Sequence, residues 1–504
     1  VYVLCISTGV HVANYYRDAI CEHGLEGAAI RAIRYAWTPC WLSAITTSVG
    51  MLSLVVSMIV PIRQFGGYAS AAVLAGTGIV VLLLPCLLAE FPLRKWAEKV
   101  QEKAKRQSRF RWEWLLAGVS RFHGIIVIAA IVGVIGVGWG VAHLKATARL
   151  HNLFHSDSKI LADYDWLEQN VGPLVPVEVV LQIPHHVQKT ALERMQFVEN
   201  VRQEIDQVAG VDRTISAATF GPTLPDQDAS GWRQTARRAV FARKLENSLE
   251  KFSETGYIKQ DTNHELWRIS ARVRATSDVE YSELLHDLET RIDTMVSKAS
   301  VKDLPGVTAM YCGAVPLVHK AQDQLMDDLI NSFLIAFAII AVIMMLLLRS
   351  WRAGLVSMIP NALPALGVFG IMGWMGVEIE VGSILTATAA LGIAVDDTLH
   401  FIAAFRHGLE GGCSRRKAVL HAYHKCGAAM IQTSLICGLG LMVFAMSPFA
   451  PIARFGWLMG AMLGTALIGD LIVLPAVLIG YLGRAFVPKT VATLEGPQLR
   501  QKAA

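Results

Sequence analysis

The stretch Gly392-Ile393-Ala394-Val395-Asp396-Asp397-Thr398-Leu399-His400 lies inside an apolar run from about Val381 to Ala404. That run is long enough to cross a bilayer as a single helix. Each aspartate at the centre of such a helix costs about 2.5–3.5 kcal/mol on insertion scales. We therefore expect the adjacent Asp396 and Asp397 to face a protein interior or a water path, and to have a function.

Helical geometry arranges these polar side chains. Asp396 and His400 lie one turn apart on the same face, while Asp397 points about 100° away. Two crowded carboxylates do not easily both ionise, so one is expected to hold a proton, beside an imidazole that titrates near neutral pH. The pattern predicts a proton relay at Asp396, Asp397 and His400. A static polar contact between helices is the alternative.

The composition is typical of a polytopic membrane protein. Of 504 residues, 53% are hydrophobic and only 17% are charged, and the apolar residues fall in long runs. We expect residues 17–37 to form a polar, helix-like link, and Pro61-Ile62-Arg63-Gln64 to form a turn. The predicted spans are the end of one at 1–16, followed by 39–60, 66–89, 123–143, 327–348, 353–374, 381–404, 427–447 and 456–482.

Charge at the links predicts the orientation in the membrane. The links at 92–113, 349–352 and 405–426 are basic, whereas one of the opposite loops carries Glu378 and Glu380, which we expect to be solvated. Placing the basic links in the cytoplasm satisfies the positive-inside rule. The 92–113 segment fits an interfacial amphipathic helix and a solvated loop equally well. The eight cysteines form no CxxC pair and no zinc spacing, so no metal site is predicted. In this orientation only Cys312 lies on the oxidising side, so no intramolecular disulfide is expected.

A polar region interrupts the spans from Lys145 to Gln324, and it predicts a domain outside the membrane. Strands and helices alternate in it, which favours an α+β domain of the split βαβ type. It contains no recognisable catalytic constellation. The predicted strands are 176–182, 266–273 and 307–312, and the predicted helices are 187–208, 228–252 and 279–298.

The chain also resembles itself, which is the mark of a duplicated transporter with parallel repeats. The second copy is whole, and the first shows only its last three spans. We therefore expect roughly 270–300 preceding residues with one span, a second outside domain and two spans. Asp396 and Asp397 correspond to Ser7 and Thr8 in the first copy. The other matches are His11 with His400, Tyr16-Arg17 with Phe405-Arg406, Pro61 to Gly66 with Pro451 to Gly456, and Leu84-Pro85 with Leu474-Pro475.

Together these residues resemble the resistance–nodulation–division (RND) superfamily, and within it the mycobacterial-membrane-protein-large (MMPL) branch, which is related to Patched and Dispatched. The resemblance covers nearly the whole chain. Its marks are the GxxxDD run from Gly392 to Asp397, Ser447-Pro448-Phe449 to Phe455-Gly456, Gly469-Asp470-Leu471-Ile472-Val473-Leu474-Pro475, and Gly313-Ala314-Val315-Pro316-Leu317.

The resemblance implies a twelve-span inner-membrane exporter with two outside porter domains, driven by a proton or sometimes a sodium gradient. It implies lipids or other hydrophobic molecules as substrates, gathered from the outer leaflet or the periplasm. The family's ion-coupling site falls on Asp396 and Asp397. Many relatives contribute an acidic residue from both halves, whereas the first half here offers Ser7, Thr8 and His11.

The predicted fold is a polytopic α-helical membrane protein with an inserted extracytoplasmic α+β domain of ferredoxin-like, split βαβ type. The architecture is RND-type and duplicated, with the first half truncated. The predicted domains are 1–91, the last three spans of the first repeat; 92–121, a basic cytoplasmic linker; 122–144, the first span of the second repeat; 145–325, the porter-like domain; 326–483, a five-span bundle; and 484–504, a cytoplasmic tail.

Further polar residues are candidates for the proton network. His11 would face His400 across the pseudo-twofold centre, or His400 would be a structural imidazole. Thr433 and Ser434 would bond the carboxylates, although both residue types also serve in helix packing. Asp470 would join the network or bond a backbone group. Ser7 and Thr8 complete the candidates.

Three functions are compatible with these residues. The favoured one is proton-motive-force-driven export, with membrane lipids, a hydrophobic substrate, protons and either a second copy or periplasmic accessory proteins as partners. The alternative is a sterol- or hopanoid-sensing protein that binds lipid without pumping. A membrane enzyme with Asp396, Asp397 and His400 as metal ligands lacks further hard ligands. The chain has no GxxxxGK[ST] run, and we predict no enzyme activity, cofactor or nucleic-acid partner.

Overall fold

The computed structural model describes residues 2–92, 94–98, 112–145, 153–154, 157–220, 224, 238–243, 245, 253–274 and 281–486. The predicted linker residues 99–111, the tail residues 487–504 and most of the predicted helix 228–252 lie outside this set. The chain divides into two compact units. We call Val1–Thr147 with Gln324–Ala504 the membrane unit, and Ala148–Asp323 the α+β unit.

In chain order the helices are α1 (Tyr2–His23), α2 (Ala28–Leu52), α3 (Val60–Glu90), α4 (Trp112–Gly138), α5 (Lys159–Asn170), α6 (Ala191–Asp206), α7 (Tyr281–Lys302), α8 (Ala314–Leu348), α9 (Trp351–Trp374), α10 (Val381–Glu410), α11 (Arg415–Ala422), α12 (Ala428–Met442), α13 (Ala450–Ile468) and α14 (Leu474–Ile479). Two π-helical turns, Tyr423–Gly427 and Gly469–Val473, precede α12 and α14.

Eight helical stretches in the described part of the chain are long and apolar enough to cross a membrane. They account for all the predicted spans except the one at 1–16, so the prediction of a polytopic helical membrane protein is confirmed. That first span corresponds to α1, which is not among the eight because residues such as Asn14, Arg17 and Asp18 lower its hydropathy.

The helical character predicted for the link at 17–37 agrees with the structure, but the prediction of a separate element there is wrong. Residues 17–23 continue α1, and residues 28–37 begin α2. The helix is interrupted only at Gly24 and Gly27, whose φ angles of 80° and 66° lie in the left-handed region that favours glycine. The polar residues extend the two neighbouring helices, because a helix can continue beyond the apolar run that marks a span.

The turn predicted at Pro61-Ile62-Arg63-Gln64 is also wrong, because these residues lie in the first turn of α3. Proline is well suited to that position, since its missing N–H would have no partner within the helix. The chain breaks earlier, at Ser57, whose ψ of 137° is extended.

Trp112 belongs to the 92–113 segment, for which an interfacial helix and a solvated loop were both predicted, yet its side chain is buried. It begins α4, is 3% exposed, and stacks on Tyr423 with ring centroids 5.2 Å apart. Helical geometry breaks within α4 at Phe122 (φ −111°, ψ 15°), next to the domain boundary expected at 121/122.

The helix that carries Asp396 and Asp397 is the centre of the membrane unit. Of an apolar 18-residue stretch within Leu385–Glu410, 89% is buried, whereas the corresponding value for Trp112–His143 is 6%. α10 packs against α2, α9, α11 and α13. Its approach to α2 is closest at Gly392, where the Thr47 hydroxyl donates to the Gly392 carbonyl at 3.0 Å. The two predicted halves therefore meet beside the aspartates.

The α+β unit has one antiparallel sheet, built from β1 (Val175–Pro184), β2 (Val211–Ile215), β3 (Ile258–Gln260), β4 (His264–Val273) and β5 (Thr308–Gly313). Its order is β2-β4-β1-β5, with β3 paired to the other part of β4. Helix α6 connects β1 to β2, and α7 connects β4 to β5, which is the predicted ferredoxin-like split βαβ order. β2, β3 and α5 were not predicted.

Alternating apolar residues build the core of this unit. On β1, Val177, Val179, Leu181 and Ile183 are fully buried, as period-two alternation requires. They pack with the inward face of α6 and α7 in a single cluster.

We expect Thr190→Ala to destabilise the start of α6 by about 1 kcal/mol, because Thr190 is its N-cap. The Thr190 hydroxyl accepts from the Glu193 N–H at 3.3 Å, and Glu193 Oε2 accepts from the Thr190 N–H at 2.9 Å. Amide hydrogen exchange at the start of α6 should accelerate. Thr294→Ala in α7 is the control, since that hydroxyl only bonds the Thr290 carbonyl. Equal protection in wild type and Thr190→Ala would contradict the capping role.

The same cap has a pH dependence. The backbone hydrogen bond from Thr190 lowers the pKa of Glu193. Its contribution to stability is therefore present above the pKa of the unfolded chain and is lost as the pH falls through the lower folded pKa. Protection of α6 in wild type should decrease over that acidic range. Thr190→Ala keeps the backbone N–H and should show most of this decrease, reduced only by the loss of the hydroxyl's hydrogen bond to Glu193.

Candidate functional site

Asp396, His400 and His11 form a buried cluster where α10 packs on α1. His400 Nε2 lies 3.3 Å from Asp396 Oδ1, and His11 Nε2 lies 3.9 Å from Asp396 Oδ2 and 4.0 Å from Asp397 Oδ1. All four residues are less than 9% exposed. Groups that titrate near neutral pH are thus gathered around a carboxylate at the centre of the helix bundle.

The two histidines stack face to face. Their ring centroids are 4.1 Å apart and the planes differ by 5°. Two imidazolium ions at this separation would repel each other, so the stack favours no more than one added proton. Nε2 of both rings and Asp396 Oδ1 have no hydrogen bond of good geometry to any described residue. A proton in the cluster can therefore bind to any of these three neighbouring atoms.

His400 is held from its other side by Tyr15. The Tyr15 hydroxyl lies 3.1 Å from His400 Nδ1. If the hydroxyl donates to Nδ1, the ring proton is on Nε2, the nitrogen that faces Asp396. The His400 carbonyl accepts from the Cys426 thiol at 3.4 Å, in the first π-helical turn.

Asp397 has a different set of neighbours. Ser434 and Thr433 of α12 place their hydroxyl oxygens 3.3 Å from Oδ2 and 3.4 Å from Oδ1. The Thr433 hydroxyl also lies 3.0 Å from the Ala429 carbonyl, so it serves its own helix as well. Both aspartates therefore lie near His11 of α1, and Asp397 contacts α12 in addition.

The remaining candidates, Ser7, Thr8 and Asp470, do not bond Asp396 or Asp397 in the described structure. Ser7 is buried, and the Thr8 hydroxyl donates to the Leu4 carbonyl of its own helix at 3.3 Å. Neither makes a described hydrogen bond to the carboxylates. Asp470 bonds Thr398, with 2.5 Å between Oδ1 and the hydroxyl oxygen, rather than Asp396 or Asp397.

A cavity of about 360 Å³ leads away from the histidines. His11, Tyr15 and His400 line one end. Glu22 and Lys425 line the other end, where their side chains are 47% and 37% exposed and form an ion pair of 2.6 Å. The cavity therefore connects the buried cluster with the solvent-exposed end of α1, on the side of the basic 405–426 link. Its further polar lining is Asn14, Asp18, His407 and His421.

A family model for MMPL matches residues 13–122 and 267–498. The chain belongs to the MMPL family. It is thus a multi-pass membrane protein of the RND superfamily, as the motifs around Asp396 and Asp470 implied.

Several known proteins resemble parts of this MMPL chain. It is 25% identical over 196 residues to multidrug resistance protein MdtC of Salmonella schwarzengrund, which covers 37% of this chain and 19% of that protein. It is 32% identical over 111 residues to protein patched homolog 2 of Homo sapiens, covering 22% and 9%. The chain thus spans less than a fifth of the length of each of these two curated relatives.

A solved structure shows the same fold. The crystal structure of SecDF in the super-membrane-facing form matches 96% of this chain and 54% of the SecDF chain, with a TM-score of 0.51 and 12% sequence identity. At this identity the likeness concerns the fold alone.

The stacked histidines of this MMPL protein are poorly arranged for a metal ion. His11, Asp396 and His400 each offer a ligand atom within 4.8 Å of the others. However, a metal ion lies on the lone-pair axis of each ligating imidazole. The lone pairs of two parallel rings do not converge on one point. The arrangement therefore fits shared protons better than the metal-ligand alternative.

Glu380 is not solvated, contrary to the sequence prediction. It is 1% exposed, and its Oε1 lies 2.8 Å from Arg454 Nη1. Arg454 also donates to the Glu378 carbonyl at 3.0 Å. The cation comes from α13, more than seventy residues away in the chain, so local sequence carried no sign of the pair.

Sequence reasoning missed Tyr15, Thr398 and Asn361. Tyr15 follows His11 by one helical turn, and that spacing would have placed both on the face that meets α10. Asn361 is an amide inside an apolar span, where side-chain hydrogen bonds between helices are common. Thr398 gave no separate signal, because threonine is frequent in such helices.

We expect Tyr15→Phe to slow transport roughly 2–10-fold, which corresponds to the loss of one hydrogen bond of about 0.5–1.5 kcal/mol. Tyr15 is a positioning residue that acts through His400, so the pH profile of transport should also change. Tyr16→Phe is the matched control, because the neighbouring Tyr16 stacks on Trp96. An unchanged rate and pH profile in Tyr15→Phe would contradict this role.

Proposed function

We propose that the full-length protein is a secondary transporter that uses the proton motive force to export lipids or other hydrophobic molecules across or from the inner membrane. The observation that carries the proposal is the buried cluster of Asp396, His400 and His11 at the inner end of a cavity that titratable side chains also line. The family assignment supports transport as the general role.

A proton affects this site because of where the cluster lies. α1 and α2 belong to the first predicted repeat and α10 to the second, and all three meet at Asp396 and Gly392. If these helices have two arrangements, a proton shifts the equilibrium between them only when it binds one arrangement more tightly than the other. Adding a proton to the cluster changes its net charge where α1 packs on α10. Proton binding from one side and release to the other would then rock the two halves.

The cavity supplies one of the two routes that such a cycle requires. It reaches from His11 and His400 to Glu22 and Lys425, at the end that the positive-inside rule assigns to the cytoplasm. We infer that protons leave through it. The α+β unit then lies in the periplasm, where it receives substrate. A second copy or periplasmic accessory proteins belong to this proposal as partners.

One observation favours a second candidate function, lipid sensing without pumping. In the first half, Ser7 and Thr8 stand where the second half has its two aspartates, and the Thr8 hydroxyl is committed to Leu4. A sterol- or hopanoid-sensing protein of this fold needs no such acidic group. Against it, His11 provides the first half with a titratable group in contact distance of both aspartates.

The two candidates differ in their response to a proton gradient. The first experiment compares envelope lipids of the host with and without the full gene, which identifies the lipid moved. The full-length protein is then reconstituted in vesicles with that lipid and an imposed pH difference. We expect export that falls to background when a protonophore collapses the gradient. Lipid binding and movement that ignore the gradient would contradict the pump and support the sensor.

A further inference from the structure

A second polar cluster lies on the other side of α10. Thr398 follows Asp396 by two residues, which is about 200° around the helix. There it meets Asp470 of the second π-helical turn and Asn361 of α9. Thr398, Asn361 and Asp470 are each no more than 1% exposed. This cluster is separate from the histidines.

Hydrogen-bond donors are too few in this cluster for an ionised Asp470. The Thr398 hydroxyl oxygen lies 2.5 Å from Asp470 Oδ1 and 2.9 Å from Asn361 Oδ1. A hydroxyl has one proton, and both partners are acceptors when Asp470 is ionised. The amide nitrogen of Asn361 is used elsewhere, since it donates to the Ser357 carbonyl at 3.0 Å. Both contacts are satisfied at once only if Asp470 carries a proton and donates it to Thr398.

Burial leads to the same conclusion. No lysine, arginine or histidine of the described residues forms an ion pair with Asp470. An ionised carboxylate that is buried without a cation is among the costliest groups in a protein interior. The neutral acid avoids that cost and supplies the missing donor.

A bound metal cation does not explain the cluster equally well. Two oxygens that each lie roughly 2.3–2.6 Å from one ion stand about 3.3 Å apart or more when they subtend a right angle. The observed separations of 2.5 and 2.9 Å are those of hydrogen bonds.

The surrounding backbone accommodates a polar group here. Asp470 is the second residue of a π-helical turn, a geometry that is rare and frequently found at functional sites. The turn leaves the Leu471 carbonyl to accept from the Tyr423 hydroxyl at 2.6 Å. Tyr423 itself opens the other π-helical turn, which carries Cys426 beneath His400. The two polar clusters are thus joined through one aromatic residue.

We propose that Asp470 is a second proton-binding carboxyl of the membrane unit, with Thr398 and Asn361 as its hydrogen-bond partners. This proposal rests on the proposed function in one respect, namely that protons are the coupling ion. Thr398 is next in sequence to Asp397, so a charge on Asp470 would lie near the carboxylate pair and repel it. The second half then contains two carboxyl sites on opposite sides of α10. The Asp470 site takes the place of the acidic residue that the first half lacks.

Infrared spectroscopy of the full-length protein in lipid nanodiscs tests this directly. A protonated carboxyl has a C=O stretching band that is absent from carboxylates and shifts in D₂O. We expect this band at neutral pH in wild type, with a component that is lost in Asp470→Asn. Asparagine keeps the shape and can donate to Thr398, so the variant should fold. Identical bands in wild type and Asp470→Asn would overturn the proposal.

A second variant keeps Asp470 and guards against misfolding of the first. Thr398→Val removes the hydroxyl that accepts from Asp470 and preserves the side-chain shape. We expect the Asp470 component to shift in frequency and to persist, whereas an unaltered band would overturn the proposed bond. The band is read without transport. If the Asp470 component of the band is missing, only the proposal for Asp470 is contradicted. If export is independent of the pH gradient, the proposed function is contradicted, and the band is unaffected.

Discussion

Asp396→Asn in the full-length protein is expected to abolish export while expression, insertion and folding survive. Asparagine has the size of aspartate and cannot bind and release a proton. Asp396 is the group that both His400 and His11 face, at 3.3 and 3.9 Å. Proton-transfer groups of this kind typically contribute about 10²–10⁴-fold to a rate. We expect a loss of at least about 100-fold in gradient-driven lipid export, measured in vesicles.

Two further variants make this result specific. Asp397→Asn is expected to have the same effect, because Ser434 and Thr433 hold that carboxylate beside His11. Glu410→Gln is the control, since it removes a carboxylate from the exposed end of the same helix. Its export rate should equal that of wild type. Wild-type rates in both aspartate variants would contradict the proposed mechanism.

Gly392→Ala is expected to destabilise the membrane unit and to impair transport strongly. A Cβ on Gly392 would lie 2.8 Å from Thr47 Cα, so the backbones of α2 and α10 would have to separate. Overpacking of this kind costs about 1–3 kcal/mol. The shift would also weaken the bond from the Thr47 hydroxyl to the Gly392 carbonyl, one turn before Asp396. Thermal unfolding and export rate are the measurements.

Gly438→Ala on α12 is the matched control for this variant. A Cβ there has no heavy atom of the described structure within 4 Å. Both substitutions gain the same helix propensity, about 1 kcal/mol, so the difference between them isolates the contact with Thr47. If Gly392→Ala unfolds at the same temperature as Gly438→Ala, α2 and α10 do not depend on this close approach.

The membrane fold was largely predictable because its signals are local. Long apolar runs mark the spans, and period-two alternation marked β1 and β4. The ends of elements were less predictable. The helix-like link predicted at 17–37 is divided between α1 and α2, because the chain breaks at Gly24 and Gly27. In the α+β unit, β2 and β3 are short strands whose pairing with β4 gives them their structure.

The candidate site was predictable in part, for a related reason. The spacing of Asp396 and His400 is a property of one helix, and the internal repeat indicated that His11 would lie opposite. Contacts between distant helices left no such trace. The bond of Tyr15 to His400 and the pair of Glu380 with Arg454 depend on how α1 and α13 pack on α10. A single sequence does not specify such packing residue by residue.

The first half of this protein differs from the second in the chemistry it brings to the centre. It contributes Ser7 and Thr8 where the second half has its two aspartates, together with the imidazole of His11, which stacks on His400 at 4.1 Å. That imidazole lies 3.9 and 4.0 Å from the two carboxylates and can exchange a proton with either of them. We infer that the substitution alters the coupling site and does not remove it.

The most direct test measures proton movement itself. Vesicles that contain the full-length protein and a pH-sensitive dye are given the exported lipid and an imposed gradient, and proton and lipid fluxes are recorded together. We expect lipid-dependent proton flux in wild type and none above background in Asp396→Asn. Lipid export without proton flux in wild type, or equal proton flux in Asp396→Asn, would contradict the claim that this buried carboxylate couples protons to transport.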